Sequence, residues 1–139
     1  MEFAIEQARI ARKNDEVPIG AVLVSRSDDI ISFAHNMSDD PTAHAEMLVI
    51  RQACRSFSKS IFYESDIYVT LEPCPMCIQA ISFAKIRRLY FGAYYNPSGR
   101  TESGIKILQH CSYMPEIYGG ILETKCSLLL KDFFEELRT

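Results

Sequence analysis

The stretch Thr-Leu-Glu-Pro-Cys-Pro-Met-Cys, residues 70–77, lies where an apolar strand ends and a helix begins. Residues 67–71 are rich in β-branched and apolar side chains, which predicts a strand. Pro75 is well suited to open the helix that runs to about Ala84, because its fixed φ fits the first helical position and its missing N–H is not needed there. Residues 89–92 predict the next strand. A strand, a helix and a strand in this order form a right-handed crossover, so the two strands are predicted to be parallel.

The segments on either side of this crossover also alternate between strand and helix. Ile19–Ser25 is mostly apolar, as expected of a strand covered on both faces, and a turn at residues 27–29 joins it to a second strand in a hairpin. The remaining predicted elements are helices at 1–14, 43–56 and 123–138, a short helix at 103–109, the second hairpin strand at 30–34, and an edge strand at 116–121 that Gly119-Gly120 interrupts. Helix 43–56 offers Met47, Leu48, Ile50 and Cys54 to its buried side. This order predicts an α/β fold, a three-layer αβα sandwich with a mixed five-stranded sheet.

Length and composition restrict the class of protein. A chain of 139 residues suits one domain spanning 1–139. Hydrophobic residues make up 47% and charged residues 24%, a balance that excludes a disordered, collagen-like or coiled-coil chain. No apolar run approaches the roughly 20 residues that a membrane helix needs, and the first residues include acids where a signal peptide is basic. We therefore expect a cytoplasmic protein with no membrane partner.

Charge and cysteine content add two further constraints. Lys and Arg number 15 against 18 Asp and Glu, which gives a net charge of −3. This argues mildly against nucleic acid as a partner, since phosphate neutralisation usually shows as a basic balance, but it leaves room for a local basic patch. The five cysteines are an odd number without an export signal, so they do not form a disulfide framework. Only Cys74 and Cys77 have an informative spacing.

Three side chains offer the donor set of a catalytic zinc site. His44 supplies an imidazole, and Cys74 and Cys77 supply two thiolates, which together suit tetrahedral zinc with the fourth position open to water. The two cysteines are three residues apart at a helix start, so both sulfurs can point to one side, and the helix dipole favours the thiolate. Glu46, in the first turn after His44, can reach the site without being a ligand. Such a carboxylate can take a proton from water and pass it to a leaving nitrogen.

Each of these residues has a simpler interpretation when it is taken alone. A Cys-x-x-Cys pair can be a redox pair, a lone histidine near a helix start is more often a surface or capping residue, and Glu46 could merely favour the helix dipole. A binding module with structural zinc would not need Glu46, and a redox protein would leave His44 unexplained. The ordered combination His-x-Glu, strand, Pro-Cys-x-x-Cys is the signature of zinc nucleobase deaminases, and it favours hydrolytic chemistry.

Longer motifs resemble one family of enzymes within that class. The chain is similar to the bacterial tRNA-specific adenosine deaminases in blocks that occur in the same order and cover almost its whole length. The blocks are EVPIGAV at 16–22, DPTAHAE at 40–46, VTLEPCPMC at 69–77, LYFGA at 89–93 and DFF at 132–134.

The resemblance implies a cytidine deaminase-like fold, a homodimer, and hydrolysis of adenosine to inosine at the wobble position of a tRNA anticodon, with the anticodon stem-loop as partner. It implies that His44, Cys74 and Cys77 bind one zinc ion per chain and that Glu46 is the catalytic proton shuttle. The implied substrate-binding residues are Asn36, which holds the target nucleoside, Val17 and Pro18, which line the pocket, Ala45, whose backbone faces the base, and Phe134, which lies against a neighbouring nucleotide.

The helix at Pro75–Ala84 has apolar residues on more than one side. Met76, Ile78, Ile81 and Phe83 are distributed around it, and only one side can face the sheet of the same chain. The others need a further surface to cover them. The homodimer that the resemblance implies supplies such a surface.

Three segments depart from the family pattern. The loop between Asn36 and His44 is shorter than in the family. An aspartate that meets the ribose after the Phe-Gly-Ala segment has no counterpart in Tyr94–Gly99. Phe134 is followed by Glu135 and Glu136 where the family carries basic residues. These departures leave open an alternative, a deaminase that acts on a free base or nucleoside of the guanine or cytosine type.

Basic residues occur in two places outside these motifs. One group is Lys85–Arg88, and the other comprises Arg51, Arg55 and Lys59. They are either a solvated surface or a path for phosphates across a dimer.

Overall fold

The computed structural model describes residues 1–95 and 104–138 of the chain. The elements are α1 (Glu2–Lys13), β1 (Gly20–Ser25), β2 (Ile30–His35), α2 (Ala45–Ser56), β3 (Ser65–Leu71), α3 (Pro75–Ala84), β4 (Arg88–Ala93), β5 (Glu116–Tyr118) and α4 (Glu123–Leu137), with 3-10 helices at Lys59–Glu64 and Gly104–His110. Within the described residues, no helix is long and apolar enough to cross a membrane.

The five strands form one mixed sheet in the order β2-β1-β3-β4-β5. β1 is antiparallel to both β2 and β3, with Ala21 opposite Val69. β3, β4 and β5 are parallel, as the crossover through α3 requires. The predicted hairpin, the parallel crossover and the mixed five-stranded sheet are therefore confirmed.

The sheet lies between two layers of helices, which completes the predicted sandwich. α2 packs against β1, β2 and α3. On the other face α1 packs against β1, β2 and β3, α4 packs against β3 and β4, and the two helices contact each other. The larger core cluster includes Leu23, Ile67 and Val69 of the sheet together with Val49 and Ile78 of the helices. A smaller cluster of Ile5, Ala93 and Cys126 joins α1 and α4 to β4.

Two glycines let helices approach the sheet backbone closely. A Cβ on Gly20 would lie 2.1 Å from the carbonyl oxygen of Ala4 in α1, and one on Gly92 would lie 2.3 Å from Sγ of Cys126 in α4. Only a residue without a side chain fits either place. Cys126 is buried at this contact, so it serves packing.

Several boundaries differ from the sequence prediction. α2 begins at Ala45 instead of residue 43, because His44 still has an extended backbone with φ −72° and ψ 149°. The buried face of α2 includes Val49 and Ala53, and Cys54 is exposed, so the prediction that Cys54 faces the core is wrong. β5 ends at Tyr118, the last residue before the glycine pair. The 3-10 helix at Lys59–Glu64 has no apolar period and was not predicted from the sequence.

Candidate metal centre and active site

The candidate metal ligands lie where α2 and α3 begin. His44 and Cys74 are the residues immediately before these helices, and both have an extended backbone. Cys77 follows in the first turn of α3 and is buried. Pro75 occupies the first position of α3, so the chain turns from β3 into the helix directly after Cys74.

The three donor atoms have the separations that a tetrahedral zinc ion requires. His44 Nδ1 lies 3.5 Å from Sγ of Cys74 and 3.6 Å from Sγ of Cys77, and all three atoms lie within 4.8 Å of one another. Zinc bonds of roughly 2.0–2.1 Å to nitrogen and 2.3 Å to sulfur, at the tetrahedral angle, place nitrogen and sulfur about 3.6 Å apart. Within residues 1–95 and 104–138, no other group of three or more His, Cys, Asp or Glu side chains has this arrangement. The donor set therefore fits zinc.

The interaction between the two thiols shifts their pKa values in opposite directions. The hydrogen bond from Cys77 to Cys74 is the main reason that the pKa of Cys74 falls to about 5, and the nearby His44 lowers this pKa further. The same hydrogen bond raises the pKa of Cys77, and burial and the Glu46 carboxylate act in the same direction. Zinc binds thiolates, so its binding must displace the proton that Cys77 holds.

Glu46 is a buried carboxyl beside this cluster. It lies in the first turn of α2 and its exposed fraction is only 4%. Burial is the main reason that the pKa of Glu46 rises to about 7, and the negative charge of Cys74 acts in the same direction. A group that titrates near neutral pH can both accept and release a proton there, which is the requirement for a general acid–base catalyst.

A small cavity opens beside His44. Its volume is about 200 Å³, and Val17, Asn36 and Met37 are among the residues around it. Asn36 Oδ1 accepts a hydrogen bond of 2.8 Å from the N–H of Ala45, so the asparagine side chain also satisfies an N–H at the start of α2. This bond assigns the amide oxygen and leaves the –NH₂ group as the free donor. Pro18 is buried next to Val17. The structure thus places Asn36 and Val17 around the same cavity as His44.

Phe134 lies elsewhere, near the end of α4. Its side chain is 43% exposed and its ring centroid is 5.3 Å from that of Phe133. An ion pair between Glu136 and Arg12 connects the end of α4 to the end of α1. Among the described residues, Phe134 does not line the cavity beside His44.

Glu72 is a further residue of this region that sequence reasoning missed. It is 4% exposed, one carboxylate oxygen accepts the N–H of Tyr95 at 3.3 Å, and its own N–H donates to Ala93. The second oxygen, Oε2, has no hydrogen-bond partner within the described structure. Glu72 therefore ties the segment before Cys74 to the end of β4. The available signal was an acid placed directly after an apolar strand.

Comparison with known proteins identifies the class and then the family. Residues 1–93 match the family model for the cytidine and deoxycytidylate deaminase zinc-binding region. The five-stranded mixed sheet, the His-Cys-Cys donor set and this family match together define the class. The protein is a zinc-dependent hydrolytic deaminase with the cytidine deaminase-like fold. The chain is 46% identical to the tRNA-specific adenosine deaminase of Agrobacterium fabrum, over 99% of this chain and 93% of that relative. The chain belongs to the tRNA-specific adenosine deaminase family.

Two solved structures place the fold in the same class. One comes from biochemical and structural studies of A-to-I editing by tRNA:A34 deaminases at the wobble position of transfer RNA. It is 45% identical with a TM-score of 0.84, and the match covers 94% of this chain and 97% of that one. The other is a guanine deaminase from Nitrosomonas europaea, with 18% identity and a TM-score of 0.72 over 95% of this chain and 81% of that one. At that identity the likeness concerns the fold alone.

Proposed function

We propose that this protein hydrolyses adenosine to inosine at the wobble position of a tRNA anticodon. The observation that carries the chemistry is a three-ligand donor set with a buried carboxyl, Glu46, beside it that is not one of the ligands. The family relationship supplies the substrate, because relatives that match the chain over almost its whole length are tRNA-specific adenosine deaminases.

In the proposed reaction His44, Cys74 and Cys77 hold one zinc ion. When bound, zinc lowers the pKa of water to about 7 and so supplies a nucleophile at neutral pH. Glu46 accepts one proton from the attacking water and delivers it to N1 of adenine as the oxygen bonds to C6, and it then transfers the proton of the new C6 hydroxyl to the exocyclic nitrogen. The C6–N bond breaks, ammonia leaves and inosine remains. The carboxyl acts twice, first as base and then as acid, which suits a group with a pKa near 7.

The proposed substrate contacts start from Asn36 and Val17, which line the cavity beside His44. The family resemblance adds Pro18, Ala45 and Phe134, which are not among the described residues that line it. We assign the –NH₂ group of Asn36 as a donor to the target nucleoside, because its oxygen is already engaged by Ala45. Val17 and Pro18 form the apolar side of the pocket, and the Ala45 backbone faces the base. Phe134 is assigned to a neighbouring nucleotide, and its exposed ring is suited to stacking.

A second copy of the chain is the proposed partner at the protein level. Phe83 on α3 is 74% exposed and Tyr63 is 47% exposed. Both lie beside a cavity of about 330 Å³ whose walls include Ile50 and Phe62. An apolar surface of this kind is suited to a homodimer interface. We further propose that residues 1–139 form one catalytic domain and that it works in the cytoplasm, where its tRNA substrate would be found.

The proposed function is tested by supplying candidate substrates side by side. The protein is incubated with an anticodon stem-loop carrying adenosine at the wobble position, and separately with free adenosine, guanine and cytidine. Ammonia release and inosine are measured in each. We expect turnover of the stem-loop only. Turnover of guanine or cytidine without turnover of the RNA would contradict the proposal and favour the alternative of a free-base or nucleoside deaminase.

A further inference from the structure

A second cavity lies beside the one at His44. It has a volume of about 420 Å³ and is found at the free edge of the sheet, where β2 lies between α1 and α2. Gln7 of α1, Phe33 of β2 and Arg55 of α2 are among the residues that line it. Met37 lines both cavities. The two cavities therefore adjoin at Met37.

Gln7 places a polar group in this second cavity. Its side chain is 92% buried, with an exposed fraction of 8%, and its amide makes no hydrogen bond to any of the described residues. The amide atoms are not among the fully enclosed polar atoms that lack a partner, so a ligand in the cavity can reach them. The amide offers two donors and an acceptor, which can pair with the edge of a nucleobase.

Phe33 supplies an aromatic surface in the same cavity. Its side chain is 45% exposed although it belongs to the sheet. An edge-to-face contact with Phe3, at a centroid distance of 5.2 Å, holds the ring in place. An exposed aromatic ring in a fixed orientation is a platform on which a base can stack.

One of the two arginines at this cavity is available to a ligand. Arg55 has no ion-pair or hydrogen-bond partner in the described structure. Arg51 is 4.0 Å from Asp40 and donates to Thr42 at 3.3 Å, so it faces the loop that leads to His44. Arg87 and Arg88, by contrast, are already engaged in ion pairs at 2.7 Å. Arg55 is therefore the side chain at this cavity whose charge is free to bind a phosphate, within the described structure.

We propose that this second cavity binds the nucleotide next to the target adenosine in the RNA substrate. The base lies against Phe33 and pairs with the amide of Gln7, while Arg55 contacts a phosphate. This inference rests on the proposed RNA substrate and adds a subsite to it.

The test compares three variants on three RNAs. Arg55→Gln removes the phosphate contact and Gln7→Met removes the amide with little change in volume. Arg26→Gln, in the β1–β2 turn at the far end of the sheet, is the matched loss of one charge. The substrates are an anticodon stem-loop with all its bases and two versions that are abasic at one or the other position next to the target.

We expect Arg55→Gln to raise KM for the intact stem-loop roughly tenfold with kcat little changed. It should also reduce the slope of log kcat/KM against log salt by about 0.7, the value for one phosphate contact on a single strand. Gln7→Met should raise KM about fivefold on intact RNA, and this effect should disappear on one of the two abasic substrates. Arg26→Gln should change neither quantity.

The possible failures can be told apart. If the wild type deaminates the stem-loop and both cavity variants behave as Arg26→Gln does, the subsite is overturned while the proposed function stands. The same result is expected if β2 instead pairs with a strand of another protein. If the wild type does not act on RNA, both proposals fail. If Gln7→Met does not fold, the salt slope of Arg55→Gln alone decides.

Discussion

His44, Cys74 and Cys77 are close together because two helices start at the same point of the sheet. We expect one zinc ion per chain after purification without added metal, as measured by elemental analysis. His44→Ala and Cys77→Ser should lose the metal, because a remaining pair of ligands cannot complete the site. Cys54→Ser is the matched control, since Cys54 is exposed and outside the cluster. A disulfide between Cys74 and Cys77, with no metal under reducing conditions, would be incompatible with this expectation.

Glu46 differs from the ligands in that its proposed role is proton transfer alone. Glu46→Gln keeps the shape of the side chain but removes its ability to change protonation state. We expect kcat to fall about 10²- to 10⁴-fold, with zinc content and thermal stability close to those of the wild type. Glu64→Gln, a surface carboxyl paired with Arg26, should leave kcat unchanged. Near wild-type turnover of Glu46→Gln would show that Glu46 is only a first-turn carboxylate.

At the residue scale, the sequence predicts a side chain's chemistry better than its surroundings. The zinc set could be predicted because imidazole and thiolates at helix starts are informative by type and spacing. The hydrogen bond from Ala45 to Asn36 and the burial of Glu72 depend on where loops meet after folding, so no local pattern predicts them. In the segment that lacks the family's ribose-contacting aspartate, Tyr95 is 51% exposed and its N–H donates to Glu72. The next residue of that segment, Asn96, lies outside the described residues.

At the scale of elements, the spacing of apolar residues predicted the helices correctly but predicted the wrong buried face for α2. In α2 the large side chains of Leu48 and Ile50 are only partly buried, while Val49 and Ala53 are fully buried. Small residues let the helix approach the sheet, so packing distance overrides hydrophobicity at this contact. The strand–helix–strand crossover was predicted correctly, because its handedness follows from chain connectivity and does not depend on side-chain detail.

The contact between α4 and β4 gives a prediction for these elements. Gly92→Ala should destabilise the fold by about 1–3 kcal/mol, because a Cβ there would lie 2.3 Å from Sγ of Cys126 and 2.9 Å from the carbonyl oxygen of Thr70. Adding Cys126→Ala should restore part of the loss, since it removes the nearer of these atoms. The free energy of unfolding in urea is the measurement, with Cys126→Ala alone as control. Equal stability of Gly92→Ala and the wild type would rule out so close a contact.

At the scale of the whole molecule, α2 and α3 contribute residues both to the candidate metal site and to the exposed apolar surface around Phe83. Their starts carry the candidate zinc ligands and Glu46, with His44 and Cys74 just before the helices and Cys77 and Glu46 in the first turns. Ile50 of α2 and Phe83 of α3 belong to the exposed apolar surface. A net charge of −3 for the chain does not conflict with an RNA substrate. Arg55 has no ion-pair partner within the described structure, so its positive charge is available locally. The overall charge therefore restricts the partner less than its distribution does.

The proposed homodimer is the prediction that involves the whole molecule. Phe83→Glu replaces a ring that is 74% exposed in the single chain and covered in the dimer. The variant loses the burial of the phenylalanine ring, which contributes about 1.5–3 kcal/mol to association. It also has to bury a carboxylate, which is unfavourable. Both effects occur twice in a two-fold dimer, because each copy contributes the same residue. We expect light scattering at micromolar concentration to give about twice the chain mass of 15.8 kDa for the wild type and about 15.8 kDa for Phe83→Glu. Leu137→Glu, a 67% exposed residue at the end of α4, should remain dimeric. A monomeric wild type, or a Phe83→Glu variant that still dimerises, would show that this surface does not join two copies.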